Sequence, residues 1–162
     1  MDEEDYCVID LNDNSLKVFR NGKVEILKQR NPNKGLYYEK KYNKHTKGYK
    51  QLELWFKGKV KIYFVHRIIA YTYLKLDITN KKCQVDHINR NKSNNDVSNF
   101  RLVTNQENSY NKNARGYYKK RNEYISQIMP NGKTIHLGKF ATEVEARDAY
   151  LLARRKYFGE YA

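Results

Sequence analysis

The chain has 162 residues, enough for one ordinary domain or two small units with a buried core. Its 32 lysines and arginines exceed its 18 acidic residues, and the net charge of +14 points to a polyanionic partner, of which nucleic acid is the leading candidate. An anionic membrane surface is the rival, but the sequence has neither a long apolar run nor a strongly amphipathic basic helix.

The start of the chain and its cysteines favour an intracellular protein. Residues Met1 to Asp5 are acidic and lack an apolar segment, so we expect no secretory signal. Cys7 and Cys83 lie far apart and form no C-x-x-C pair. We therefore expect two free thiols, a reducing environment and no structural zinc.

The N-terminal third, residues 1–48, is predicted to be rich in β-strands. Cys7 to Leu11, Leu16 to Arg20 and Val24 to Leu27 have the pattern of short strands joined by turns, which together form a meander. From Lys28 to Lys50 the periodicity is lost and Lys, Asn and Tyr dominate, which predicts an irregular basic arm. This arm is either a DNA contact or a solvated loop.

A second region is predicted to span residues 49–111. Tyr49 to Phe56 alternates polar and apolar residues, and Lys57-Gly58-Lys59 turns the chain into Val60 to Val65, so a hairpin is expected. His66 to Leu76 follows as a short helix, with apolar residues at helical spacing along one side. His66 is expected to pack at the start of this helix.

The same region ends in a strand, a loop, a strand and a helix. Cys83 to Ile88 and Phe100 to Val103 are the predicted strands, and the turn-rich segment Asn89 to Asn99 joins them. Thr104-Asn105-Gln106-Glu107 is a capping box, so a helix is expected from here to about Asn111.

Asp86 and His87 form the pair on which the functional interpretation depends. On a strand, consecutive side chains point to opposite faces, so the two cannot both be ordinary ligands of one ion. Asp86 offers a hard carboxylate oxygen, and an Asn on the following helix offers a carbonyl, which suits Mg²⁺. His87 is then placed to act as a general base on a water.

These residues resemble the HNH nucleases, and closely the phage-type homing endonucleases among them. The resemblance rests on the run Val85 to Asn89, on Asn94-Asn95, on Val97 to Arg101 and on Val103-Thr104 with Glu107-Asn108. It implies a ββα-metal core over residues 83–111, in which Asp86 and Asn108 bind the metal, His87 is the base and Asn99 orients the histidine.

Some assignments in this region stay open. Asn105 and Asn111 are alternatives to Asn108 as the ligand on the helix, because Asn111 lies near the same helix face. Additional DNA contacts are predicted, with less support, at Arg67, Arg90, Lys92, Arg101 and Asn111.

The last region, residues 112–162, has three predicted strands and one helix. The strands are Tyr117 to Lys120, Glu123 to Met129 and Lys133 to Lys139. A second capping box, Thr142 to Glu145, opens the helix. The apolar helix face is expected to carry Ala146, Ala149, Tyr150, Ala153 and Tyr157.

This region resembles the APETALA-type (ethylene-response-factor-like) DNA-binding domain, through Gly116-Tyr117-Tyr118, Leu137 to Thr142 and Phe158-Gly159 among other segments. The resemblance implies that the sheet enters the major groove. Alternation predicts Ile125, Gln127, Met129, Thr134 and His136 on the outer face of the sheet. The predicted DNA-binding residues are Tyr118, Lys119, Lys120, Arg121, Gln127, Met129, Lys133 and His136.

The sequence therefore predicts an α+β protein with an N-terminal β-meander and hairpins, a central ββα-metal HNH module, and a C-terminal three-stranded antiparallel sheet packed on one helix. The expected function is a homing endonuclease that uses one Mg²⁺ or Mn²⁺ ion and acts on double-stranded DNA, as a nicking monomer or a homodimer. A non-catalytic DNA-binding protein is the alternative, and RNA binding through the basic tyrosine-rich arm is a third possibility.

Overall fold

The computed structural model describes residues 5–28 and 34–161. The chain divides into two compact units, with the boundary between Val103 and Thr104. The predicted segments were 1–48, 49–111 and 112–162, whereas the described residues up to Val103 belong to one unit here. None of the described helices is both long enough and apolar enough to cross a membrane.

The first unit begins with a four-stranded antiparallel sheet whose strands follow chain order. Its strands are β1 (Tyr6–Leu11), β2 (Asn14–Phe19), β3 (Val24–Leu27) and β4 (Tyr37–Glu39). The predicted meander is confirmed, and the left-handed φ angles of Asn12 and Asp13 explain the tight turn between β1 and β2.

The prediction of an irregular arm from Lys28 to Lys50 is wrong for the part that the structure describes. Residues 29–33 of Lys28–Lys50 lie outside the described residues, but the remainder contains β4 and also β5 (Asn43–Lys44). The half-buried Tyr42 shows why: its hydroxyl accepts a hydrogen bond from the Val24 amide at 2.8 Å. This part of the segment is packed against the sheet.

The expected hairpin and helix follow. β6 (Lys50–Phe56) and β7 (Lys59–Phe64) pair in antiparallel fashion, and α1 (Val65–Leu74) begins directly after β7. The helix ends where Lys75 adopts a left-handed conformation and its amide donates to the carbonyl of Ala70.

One hydrophobic core connects the meander, the hairpin and α1. Each of these elements contributes to the core, and so do two residues further along the chain, Val85 and Phe100. The buried members are Leu11, Leu16, Val18, Val24, Ile26, Leu52, Leu54, Val65, Ile68, Ile69, Ala70, Leu76, Val85 and Phe100. Leu52 and Leu54 are buried as the alternation predicted, whereas Trp55 is exposed. Because the last two core residues belong to the strands of the predicted nuclease motif, the meander supports that motif directly.

That motif forms a two-stranded antiparallel hairpin. Its strands are β8 (Gln84–His87) and β9 (Phe100–Val103), close to the predicted bounds. The long loop between them ends in a short 3₁₀ turn, Val97–Asn99, in which Asp96 accepts a hydrogen bond from the Ser98 amide.

The second unit contains the predicted helix, three-stranded sheet and helix. Its elements are α2 (Asn105–Tyr110), β10 (Tyr117–Lys120), β11 (Glu123–Ile128), β12 (Ile135–Phe140) and α3 (Glu143–Phe158). The three strands form one antiparallel sheet in chain order. Both predicted capping boxes are present, Thr104 with Glu107 and Thr142 with Glu145.

Two details of the second unit were predicted incorrectly. Tyr157 is 41% exposed, and Phe158 enters the core instead, because its ring stacks on Tyr110 of α2 with centroids 4.0 Å apart. Ile125, expected on the outer face, is only 4% exposed. Ile125 lies opposite Lys139 in the regular part of the ladder, and the register shifts only beyond it, between Ser126 and Gln127.

Candidate active site and nucleic-acid interface

The β8–β9 hairpin fixes the position of Asp86. Asp86 lies directly opposite Arg101 in the strand register and is only 5% exposed. Arg101 contacts the same carboxylate oxygen, Oδ2, through Nε at 2.8 Å and through Nη2 at 2.8 Å. A buried carboxylate needs such a partner, since an unpaired charge in this position would be costly. Arg101 was predicted as a DNA contact, and in this structure it pairs with Asp86.

His87 is buried among aromatic rings. It is 4% exposed. Its imidazole and the Phe100 ring pack edge to face, with their centroids 5.0 Å apart. The rings of His66 and Tyr49 lie at 5.3 and 5.9 Å. This environment lowers the pKa of His87, chiefly through burial, although the hydrogen bond with Asn95 and the charge of Asp86 oppose the shift.

Asn95 forms a side-chain hydrogen bond with His87, and the sequence interpretation did not assign Asn95 a role. His87 Nε2 lies 3.3 Å from Asn95 Oδ1. Because an amide oxygen only accepts, Nε2 carries the hydrogen, and Nδ1 keeps the lone pair that a base requires. Asn95 is 3% exposed, so this contact is shielded from water.

Asn99, predicted to orient the histidine, braces the loop beside it. Its Oδ1 accepts from the Asn89 amide at 3.0 Å, and its Nδ2 donates to the Asn94 carbonyl at 2.9 Å. Its backbone carbonyl accepts from the Ile88 amide at 2.9 Å. Asn99 thus fixes both ends of the loop segment that carries Asn95.

The meander also supports this loop. The Val97 amide donates to the carbonyl of Arg20, at the turn between β2 and β3, at 2.8 Å. Gly22 in that turn has a φ of +94°, and a Cβ added there would come within 2.9 Å of Asn95. A larger residue at Gly22 would displace the loop. This support joins distant segments, so no local sequence pattern indicated it.

His66 lies in the first turn of α1, where it was expected to pack, and its ring lies against that of His87. It is 8% exposed, and burial together with the nearby His87 and Arg67 lowers its pKa to about 3. Among the residues that the structure describes, His66 Nδ1 and Asn95 Nδ2 are the buried side-chain polar atoms without a hydrogen-bond partner. His66 is therefore a neutral wall of the histidine pocket.

The other predicted contacts of the first unit have different surroundings. The Arg67 guanidinium donates to the backbone carbonyls of Ile78, Asn80 and Cys83 at 3.1 to 3.3 Å, so it anchors the connector before β8. These hydrogen bonds give Arg67 a structural role, and its contact with DNA stays a prediction. Arg90 and Lys92 are exposed on the loop, and the Lys92 ammonium lies 5.0 Å from the centre of the Tyr49 ring.

The predicted asparagine ligands Asn108 and Asn111 belong to the second unit. Asn108 is half-buried on α2, whereas Asn111 follows the helix as its C-cap and is 6% exposed. Asn105 is exposed at the helix start. The assignment of Asn108 as a metal ligand stays a prediction.

The sheet of the second unit presents a basic surface. The exposed predicted DNA-binding residues are Tyr118, Lys119, Lys120, Arg121, Met129, Lys133 and His136, whereas Gln127 is half-buried. Gln127 lies opposite His136 in the ladder. The cationic side chains of this set are accessible to a polyanion.

Comparison with known proteins points to one family. Residues 63–110 match the model of the family described as HNH endonuclease. An uncharacterized HNH endonuclease of Acanthamoeba polyphaga mimivirus is 37% identical over 111 residues, which is 65% of this chain and 57% of that protein. The chain thus spans little more than half of this curated relative.

A solved structure gives the same indication. It concerns DNA binding and cleavage by the HNH homing endonuclease I-HmuI, and it matches 87% of this chain and 80% of its own with a TM-score of 0.50 and 25% sequence identity. The APETALA-type resemblance lies beyond the segment that the family model covers. All three comparisons thus relate this chain to HNH endonucleases, and the match to the family model lies at residues 63–110.

Proposed function

We propose that this protein is a DNA endonuclease of the homing type that needs a divalent metal ion and nicks one strand. The observation that carries the proposal is that β8 holds two consecutive buried groups, the carboxylate of Asp86 and the imidazole of His87, and that Asn95 contacts His87 Nε2. Comparison with the HNH family supports the same reaction class.

The donor chemistry fits a divalent ion. The described residues contain no group of three or more His, Cys, Asp or Glu side chains that could hold a metal ion, so an ion at Asp86 would need amide or water oxygens as further ligands. Asp86 is a hard oxygen donor, and the guanidinium on its Oδ2 marks a position that favours positive charge. Mg²⁺ or Mn²⁺ bound there would stabilise negative charge on the phosphate and on the leaving oxygen.

The protein residues then have separate tasks. His87 accepts a proton from the attacking water at Nδ1, while Asn95 holds Nε2. Burial among the rings of Phe100 and His66 limits the rotation of the imidazole. Asn99 keeps the loop closed around this arrangement.

The C-terminal unit is proposed to bind duplex DNA through the outer face of its sheet. Lys119, Lys120, Arg121 and Lys133 would contact phosphates, which provide affinity without reading the sequence. One active site per chain favours a nick, and a double-strand cut would need two chains or two events.

A plasmid assay tests the proposal. Purified protein is incubated with supercoiled plasmid in Mg²⁺ or Mn²⁺, and we expect open-circular DNA that disappears when EDTA is added. Mapping of the nick by denaturing electrophoresis should give a 5′-phosphate and a 3′-hydroxyl. A protein that retards DNA but leaves it intact in either metal would support the alternative, a non-catalytic DNA-binding protein.

A further inference from the structure

The ion pair between Arg101 and Asp86 occupies the carboxylate to which the proposed function assigns the metal. Both Nε and Nη2 of Arg101 contact Oδ2 of Asp86, each at 2.8 Å. The two side chains are 16% and 6% exposed, so water screens their interaction weakly. A metal ion must therefore bind a carboxylate that already has a cationic partner.

Because of the charges of this pair, binding of the metal alone or of DNA alone at this site is unfavourable. The carboxylate and guanidinium sum to zero, so a divalent ion alone would meet a compensated carboxylate and the repulsion of the guanidinium. Displacing Arg101 from Asp86 without offering it another anion would break both of its contacts with the carboxylate in a largely buried position, which is destabilising. A DNA phosphate is an anion that guanidinium binds well.

We propose that Arg101 is a positioning residue that couples metal binding to DNA binding. In the free protein it holds Asp86, and when DNA and metal bind together it transfers its guanidinium to a phosphate and leaves Asp86 to the metal. The inference rests on the proposed function, because it needs a metal at Asp86. Linkage requires that DNA and metal raise each other's affinity by the same factor.

The affinity for Mn²⁺ tests this coupling without any cleavage. Free Mn²⁺ is measured by electron paramagnetic resonance in titrations of the free protein and of its complex with a short duplex, on a His87→Ala background that leaves the DNA intact. The Asp86→Asn protein, titrated in parallel, gives the Mn²⁺ bound by the DNA and by other sites. We expect the duplex to raise the Asp86-dependent Mn²⁺ affinity by roughly tenfold or more.

Arg101→Gln distinguishes coupling from simple support of Asp86. If Arg101 competes with the metal, this substitution raises the Mn²⁺ affinity of the free protein by roughly tenfold and removes most of the gain due to DNA. Arg101→Lys keeps the charge but not the contact through two nitrogens, so a smaller rise is expected. That variant carries the test if Arg101→Gln fails to fold by circular dichroism.

A matched control is available in the meander. Arg20→Gln removes the same charge from an ion pair with Asp5 whose side chains are 54% and 66% exposed, and it should leave the Mn²⁺ affinity unchanged. A Mn²⁺ affinity that Arg101→Gln lowers or leaves unchanged overturns the inference alone. If no protein binds Mn²⁺ in an Asp86-dependent way, with or without DNA, the metal assignment and the inference both fail.

Discussion

The pocket of His87 and the outer face of the C-terminal sheet illustrate two ways of placing functional residues. The histidine and its neighbours Asp86, Asn95 and Asn99 are all less than 10% exposed and are held by the fold. The cationic side chains of the sheet are exposed. In the proposed function, the pocket would provide preorganised chemistry and the sheet would provide adaptable electrostatic binding.

The largest expected effect comes from breaking the buried ion pair. Asp86→Ala removes the carboxylate that Nε and Nη2 of Arg101 both contact in a largely buried position, so we expect the free energy of unfolding to fall by about 3 kcal/mol. Urea denaturation measures this loss. Asp5→Ala is the matched control, because it removes an exposed partner of Arg20 and should cost less than about 1 kcal/mol. Equal losses in the free energy of unfolding of Asp86→Ala and Asp5→Ala would mean that burial of the Asp86–Arg101 pair does not increase its contribution to stability.

The next effect is a pH dependence of stability due to His66. Its folded-state pKa of about 3 lies below the ordinary 6.5, so below pH 6.5 the unfolded chain binds a proton that the folded chain does not. The groups that lower this pKa besides burial are His87 and Arg67, and Tyr49 packs on the ring.

Stability from His66 is therefore full above pH 6.5 and decreases as the pH falls toward 3, by about 1.4 kcal/mol per pH unit. Urea titrations at several pH values should show a shallower slope for His66→Phe than for the parent, since phenylalanine takes up no proton. Parallel slopes for the two proteins would contradict the assignment of this proton to His66.

Much of the fold, but less of the His87 pocket, could be predicted from the sequence. The bounds of β9 and both capping boxes were predicted correctly, because they depend on alternation and on local side-chain chemistry. Both strands around Asp86 were also predicted, but their register was not. Once Asp86 is aligned with Arg101, the ion pair is an ordinary cross-strand contact of opposite charges.

The contacts that the sequence did not indicate connect distant segments. The carbonyl of Arg20 and the missing side chain of Gly22 shape the loop that carries Asn95, more than 70 residues later. Likewise, Phe158 was placed by stacking on Tyr110 of a different helix. Helical or strand periodicity carries no information about such partners, since it reports only which face of an element is apolar.

A moderate loss of rate is expected from removing Asn95. Asn95→Ala deletes the acceptor at His87 Nε2, so we expect the cleavage rate at saturating DNA to fall about tenfold, equivalent to about 1.4 kcal/mol, with DNA affinity retained. Single-turnover nicking measures the rate. Asn91→Ala, an exposed asparagine of the same loop, serves as the control and should retain the parental rate. A loss of DNA affinity without a change in rate would contradict the role of Asn95.

The smallest effect concerns single charges of the sheet. Lys120→Gln should weaken DNA binding by a few-fold at low salt and reduce the slope of log affinity against log salt by about 1. Fluorescence anisotropy at several salt concentrations measures both. Lys156→Gln makes the same change on the exposed surface of α3 and should leave the slope closer to the parental value. Equal slopes for all three proteins would argue against DNA contacts at the sheet.

The central claim, that His87 is the general base of a preformed nuclease pocket, is tested most directly by His87→Ala. Nicking of supercoiled plasmid and binding of a duplex are measured on the same preparation, with His136→Ala, which changes a predicted DNA contact on the exposed sheet, as the variant that should keep the parental nicking rate at saturating DNA. We expect the nicking rate of His87→Ala to fall by about 10² or more while its DNA affinity stays within about twofold of the parent. Nicking by His87→Ala at the parental rate would contradict the account.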